Sequence, residues 1–153
     1  MIEEHNLESH LGKNKKNSGQ PNIKKHITKM IEAISTTNAP PAAAVYSSAI
    51  KANGFIYCSG QIPMTPDSKL VEGSIADKAH QVITNIKNVV EAAGSSLDKI
   101  VKVNVFLADI KYFAEFNEVY AQYFSAHRPA RSCVAVAALP LGADLEMECI
   151  AVA

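Results

Sequence analysis

The sequence predicts an α+β fold in which a sheet carries two helices on one face. Three observations predict it. Apolar and polar residues alternate over "IVKVNVFL" (100–107) and "DLEMECIAV" (144–152), the period of strands with one buried face. Apolar residues recur at three- and four-residue steps between 79 and 93 and again between 113 and 124, the period of amphipathic helices. Asn53-Gly54 separates two more strand-like runs, and this dipeptide suits a type I′ hairpin because both central residues accept positive φ. With 153 residues the chain is long enough to bury one core.

In chain order, residues 1–29 are polar, lysine-rich from Lys13 onward and without a sustained apolar period. They read as a disordered N-terminal extension ahead of a domain spanning 30–153, and a targeting segment and a vestigial leader are both open readings. The hairpin is expected over about 45–51 and 55–61, with Gly60 ending its second strand and Pro63, Pro66 and Gly73 punctuating a loop. Ser74 followed by Asp77 opens a helix whose buried stripe is Ala79, Val82, Ile83, Ile86, Val89, Val90 and Ala93, and Gly94 stops it. In the strand that follows, Val101, Val103, Val105 and Leu107 are expected on the buried face. A second helix after Asp109 lines up Phe113, Phe116, Val119, Tyr120, Tyr123 and Phe124, a core stripe rather than a ligand box. After Pro129, "SCVAVAAL" is apolar on both faces and predicts burial on both. The last strand sets Leu145, Met147 and Cys149 against Glu146, Glu148, Ile150 and Val152. Two helices cover only one face of a sheet, so copies of the same chain are expected on the other, in a symmetric oligomer.

Lys and Arg number 15 and Asp and Glu 15, a formal net charge of zero that gives no overall pull toward nucleic acid or anionic lipid. Apolar runs fall far short of the ~20 residues of a membrane span. Cys58, Cys133 and Cys149 form no CxxC or Cys/His spacing, which speaks against a disulfide framework and a zinc site. There is no phosphate loop, HExxH or GxSxG.

A sparse polar set remains at strand ends and on the second helix: Tyr46, Ser59, Gly60, Asn117, Arg131 and Glu146. Arg131 opens an otherwise apolar strand, and a buried guanidinium demands an anion. Its fork can take a carboxylate through two parallel hydrogen bonds, and a glutamate in a partly apolar site can serve as acid or base through water. The same pair can equally be an internal contact that registers the sheet or a subunit boundary. His80 reads as solvated, His127 and Arg128 as surface loop residues, and Glu148 as a partner for a basic residue of a neighbouring subunit.

At "CSGQIP", "NIKNVVEAAGSSLDKIVKVNVFLADI", "FAEFNEVYAQYF" and "RPARSCVAVAALPLGADLEMECIAVA" the chain closely resembles the RidA (YjgF) family of reactive intermediate deaminases, its fungal mitochondrial and cytosolic members above all. The resemblance runs from about Met30 to Ala153 and rests on the combination of motifs. It implies a chorismate-mutase-like fold with a mixed, mostly antiparallel sheet, a homotrimeric barrel with ligand clefts between subunits, and residence in the mitochondrial matrix or cytoplasm. It further implies hydrolysis of 2-imino acids and their enamine tautomers, such as 2-aminoacrylate, to 2-keto acids and ammonia without a cofactor. That activity protects pyridoxal-phosphate enzymes and touches isoleucine synthesis. By the same resemblance Arg131 of "PARS" holds the substrate carboxylate and Glu146 of "EME" orients the attacking water. Tyr46, Ser59, Gly60 and Asn117 line the pocket, and Cys133 contributes its backbone. Two other readings stay open: an RNA-directed translation inhibitor, which the charge balance opposes, and a non-catalytic metabolite-binding or chaperone-like trimer using the Arg131 pocket.

Overall fold

A computed structural model describes residues 31–43 and 45–153; the N-terminal extension expected over 1–29 lies outside the described residues. Six strands form one sheet: β1 (Ile31–Ile34), β2 (Ala49–Ala52), β3 (Phe55–Gln61), β4 (Ile100–Leu107), β5 (Ala130–Ala135) and β6 (Leu145–Val152). Their order is β1-β2-β3-β6-β4-β5, antiparallel throughout except for the parallel pair β4 and β5. Two helices, α1 (Ile75–Ala92) and α2 (Phe113–Phe124), pack on one face. The fold is therefore α+β with a mixed, mostly antiparallel sheet.

Local chemistry accounts for the elements. Asn53 and Gly54 have φ of 51° and 80°, the left-handed pair that a tight hairpin turn needs. Ser74 caps α1 in a reciprocal box: its hydroxyl accepts from the Asp77 N–H at 3.1 Å, and the Asp77 carboxylate accepts from the Ser74 N–H at 3.0 Å. Gly94, at φ +84°, ends the helix by donating its N–H to the Glu91 carbonyl at 2.9 Å. Lys78 of α1 meets Asp144, just before β6, at 2.5 Å and ties helix to strand.

One transverse row of register partners runs across the helix-covered face: Ile34, Ala49, Cys58, Cys149, Val103 and Arg131. The first five are buried under the helices. The opposite face carries Glu146, Phe106 and Val134 in one row and Glu148, Asn104 and Ser132 in the next. Among the described residues nothing covers this face, where Phe55, Tyr57, Val134 and Val152 are exposed.

Three expectations change, and one strand was not expected. The hairpin's first arm is only Ala49–Ala52, because 45–48 turn away after the Tyr46 N–H bonds to the Ala43 carbonyl at 3.1 Å. Val101 is exposed: the ladder to β6 shifts between Ile100 and Lys102, which puts Ile100 inside and turns Val101 out. β5 ends at Ala135 and is largely exposed in the single chain, since it is an edge strand with one neighbour. β1 has no counterpart among the sequence expectations; its four residues are too short a run to show a period.

Candidate functional site

Glu146 stands on the uncovered face, and its position follows from a defect in the sheet. The β3–β6 register slips between Cys58 and Gln61, so three steps on β3 match two on β6. The extra residue falls at Ser59-Gly60, and the bulge lays the Gly60 backbone under the Glu146 side chain. A Cβ on Gly60 would sit 1.8 Å from Glu146 Oε1, so the carboxylate rests where only glycine leaves room. Gln61 is buried and supports the bulge, its Nε2 donating to the Ser59 and Gly60 carbonyls at 3.2 Å each. Burial pushes the Glu146 carboxyl above its usual range, and the charge of Glu148 on the same face adds to the shift.

Gly60 and Tyr46 border one cleft of about 230 Å³, walled also by Pro40, Pro41, Met64 and Leu141. Ser59 contributes to this end indirectly. Its hydroxyl donates to the Ser47 carbonyl at 2.7 Å and its N–H to the Ser48 carbonyl at 3.0 Å, which fastens the segment that carries Tyr46.

Arg131 lies on the other side of the sheet. Its guanidinium carbon stands 4.4 Å from the Tyr120 ring centroid and 5.7 Å from that of Phe113, both on α2. Phe113, Asn117 and Tyr120 follow one another at four- and three-residue steps, so the half-buried Asn117 shares the helix face on which Arg131 stacks. Among the described residues no carboxylate lies within ion-pairing distance of Arg131. Cys133, two steps along β5, is half-buried against the core. Burial raises its thiol pKa against the opposing pull of Arg131, which keeps the sulfur protonated and a poor nucleophile.

The candidate residues thus form two groups. Tyr46, Ser59, Gly60 and Glu146 gather around the bulge, while Asn117, Arg131 and Cys133 gather under α2. Arg131 and Glu146 are separated by the thickness of the sheet, and no internal Arg131–Glu146 pair exists.

Sequence reasoning passed over several residues that shape these groups. Asn85 is fully buried in α1, and its Nδ2 donates to the Met64 carbonyl at 2.8 Å and the Ile62 carbonyl at 3.3 Å, pinning one wall of the cleft. The signal was present: an asparagine inside the apolar stripe between Val82 and Val89 must find partners. Phe113 and Tyr120 read as core, and their role beneath Arg131 needed the parallel β4–β5 pairing to emerge. His80 is bound rather than solvated, its Nδ1 2.7 Å from the Tyr123 hydroxyl between the two helices. Glu148 takes a hydrogen bond from Asn104 Nδ2 at 2.8 Å within the chain. Among the described residues no group of three or more His, Cys, Asp or Glu is placed to hold a metal, and no helix is long and apolar enough to cross a membrane.

Residues 36–153 match the family model described as Endoribonuclease L-PSP. Protein HMF1 of Saccharomyces cerevisiae is 74% identical over 114 residues, covering 74% of this chain and 88% of its own length. The mitochondrial protein MMF1 of the same yeast is 63% identical over 132 residues, covering 86% and 90%. The 2-iminobutanoate/2-iminopropanoate deaminase of Bos taurus is 48% identical over 120 residues, covering 78% and 88%. The crystal structure of yeast Mmf1 superposes with a TM-score of 0.79 at 66% identity, covering 80% of this chain and 98% of that one. E. coli TdcF with bound serine superposes at 0.75 and 40% identity, covering 80% and 98%. The family match over residues 36–153, the identity to these relatives and the superposition on their structures place the chain, by sequence and by fold, in the RidA (YjgF) family, that of the Endoribonuclease L-PSP model.

Proposed function

We propose that this chain hydrolyses reactive 2-imino acids, among them 2-aminoacrylate, 2-iminopropanoate and 2-iminobutanoate, to 2-keto acids and ammonia, and so protects pyridoxal-phosphate enzymes from these electrophiles. The observation that carries the reading is Arg131, a guanidinium held against two aromatic rings with no carboxylate partner among the described residues. Such a group is ready to take an external carboxylate. A bovine relative named as an imine deaminase and a bacterial neighbour holding serine, itself an α-carboxylate, point the same way.

In the proposed reaction Arg131 binds the substrate carboxylate and fixes the protonated imine carbon. Glu146, its carboxyl raised by burial, takes a proton from water as the oxygen adds to that carbon. Glu146 passes that proton to the carbinolamine nitrogen, the C–N bond breaks as Glu146 takes the hydroxyl proton, and ammonia leaves as the carbonyl forms, the last proton going to solvent or ammonia. One water is consumed, no electrons are transferred and no cofactor is required. Activated imines already hydrolyse in water, so positioning and modest acid–base assistance are sufficient. Asn117 flanks the arginine, Tyr46 and Gly60 bound the cleft beside the glutamate, and the Cys133 backbone closes the arginine side.

Because Arg131 and Glu146 lie on opposite faces, a complete site needs the arginine group of one copy and the glutamate group of another. The uncovered face with Tyr57, Val134 and Val152 supplies the contact, and a closed trimer places one such site at each of its boundaries. Of the two compartments expected, mitochondrial matrix or cytoplasm, the mitochondrial name of MMF1 supports the first.

The deciding experiment follows ammonia and keto-acid release from 2-aminoacrylate generated by a pyridoxal-dependent serine dehydratase. Wild type should accelerate release, and Arg131→Ala should lose roughly 100-fold or more while keeping its oligomeric mass. Equal rates with and without wild-type protein would refute the deaminase reading.

A further inference from the structure

We propose that Leu141 is a specificity-determining residue whose side chain selects 2-imino acids with aliphatic side chains, a proposal that rests on the deaminase reading above. Three observations meet at this residue. Its backbone sits in the left-handed region, at φ 56° and ψ 19°, where a bulky γ-branched side chain is a costly choice. Its side chain gains nothing from the core, for Leu141 is 71% exposed. Yet it borders the cleft that Gly60 lines, and the Glu146 carboxylate lies against Gly60. Gly142, at φ +70°, shows that glycine serves this turn one residue later, so the strain at 141 is not imposed by a lack of alternatives. Strain kept at an exposed apolar residue beside a cleft points to function rather than stability.

The position fits one part of the substrate. With the carboxylate on the arginine of one copy and water on Glu146 of the other, the substituent of the imino acid extends toward the cleft beyond Gly60. The cleft is lined by Tyr46, Ser48 and Gln61 as well as by the apolar Pro40, Pro41, Met64, Pro140 and Leu141, and this apolar part, with Leu141 at its edge, offers a growing alkyl chain contact. The cleft, at about 230 Å³, exceeds what the methyl group of 2-iminopropanoate fills. The turn is held in place from behind: Asp144 pairs with Lys78 at 2.5 Å, and its carbonyl accepts the Ala108 N–H at 2.8 Å.

The test compares 2-iminopropanoate with 2-imino-4-methylpentanoate, each generated in situ by an amino-acid oxidase and trapped in competition with the protein. Wild type should favour the longer substrate. Leu141→Ser should lower kcat/KM for it about tenfold, through KM, and leave 2-iminopropanoate within about twofold. Leu141→Met, which restores apolar volume, should recover the preference. Leu141→Gly should keep the oligomeric mass and a Tm at or above wild type, because it removes the positive-φ strain. Equal losses on both substrates, no loss on either, or a change in oligomeric mass would overturn the assignment while leaving hydrolysis of 2-iminopropanoate by wild type intact. Absence of wild-type acceleration on both substrates would overturn this assignment together with the deaminase reading, and that control is read first.

Discussion

The carboxylate of Glu146 rests on the α-carbon of Gly60, where an added Cβ would lie 1.8 Å from Oε1 and 2.7 Å from Cδ. The obstacle is the far end of a flexible side chain, so the fold can absorb Gly60→Ala by swinging the carboxylate away. Gly60→Ala should therefore stay folded, with a Tm within a few degrees of wild type, yet lose kcat about 10- to 100-fold because the base no longer meets the water. Thermal melts and steady-state ammonia release check this, and a variant with full kcat would detach Glu146 from the chemistry.

The raised carboxyl of Glu146 sets a pH dependence. Burial is the larger cause and the Glu148 charge the smaller, and both disfavour the ionised form. A base must be ionised, so kcat should rise with pH along an acid limb lying above the ordinary glutamate range. Glu148→Gln removes the second cause and should move that limb to lower pH.

Stability runs the opposite way. A carboxyl whose folded pKa is raised favours folding below its unfolded pKa and loses that contribution as pH rises through the folded value. Glu146→Gln, neutral at every pH, should thus melt higher than wild type at pH 7. The gain should vanish below about pH 4, where wild type is protonated as well. Melts across that range decide it, and a variant less stable at pH 7 would contradict the environment assigned to Glu146.

Much of this was legible in the sequence because the residues concerned have strong local signals. The capping pair Ser74 and Asp77, the Asn53-Gly54 turn, the Gly94 stop and the alternation of β6 each specify local geometry with few alternatives. The sequence pattern also singled out Arg131 and Glu146 as chemically expensive residues in apolar strands. Their separation was not legible, because it depends on sheet order. β5 lies parallel beside β4 at the edge, and a parallel register across a long connection leaves no local mark. The bulge at Ser59-Gly60 was hidden for a similar reason: it is a mismatch between two strands distant in sequence. Val101 was misplaced because strict alternation assumes an unbroken ladder, and the slip after Ile100 breaks it.

The aromatic seat of Arg131 yields a prediction that separates ring from hydroxyl. The Tyr120 hydroxyl is buried and has no hydrogen-bond partner among the described residues. Tyr120→Phe keeps the ring under the guanidinium and deletes an unsatisfied polar group, so it should leave KM unchanged and raise stability by about 1 kcal/mol. Tyr120→Leu removes a cation–π contact of about 1 kcal/mol and frees the arginine. KM should rise severalfold with kcat less affected, and the phenylalanine variant should show no such change. A matching KM rise in both variants would mean that the hydroxyl, not the ring, seats the arginine.

Asn85 tests how the cleft wall is held. Its Nδ2 serves the carbonyls of Ile62 and Met64, and its Oδ1 accepts from Gln81 Nε2 at 2.9 Å. Asn85→Ala strands two carbonyls beside a fully buried void, at a cost of about 2–3 kcal/mol, and should lower Tm by about 5–10 °C. Asn85→Asp is more informative. At neutral pH it sets a carboxylate against two carbonyl oxygens in a buried site, so it should be less stable than the alanine variant. Protonation restores one donor, and burial raises the pKa at which this happens. Asn85→Asp should therefore regain stability relative to Asn85→Ala as pH falls toward 5. Parallel curves for the two variants would show that the amide donors are not what holds residues 62–64 against α1.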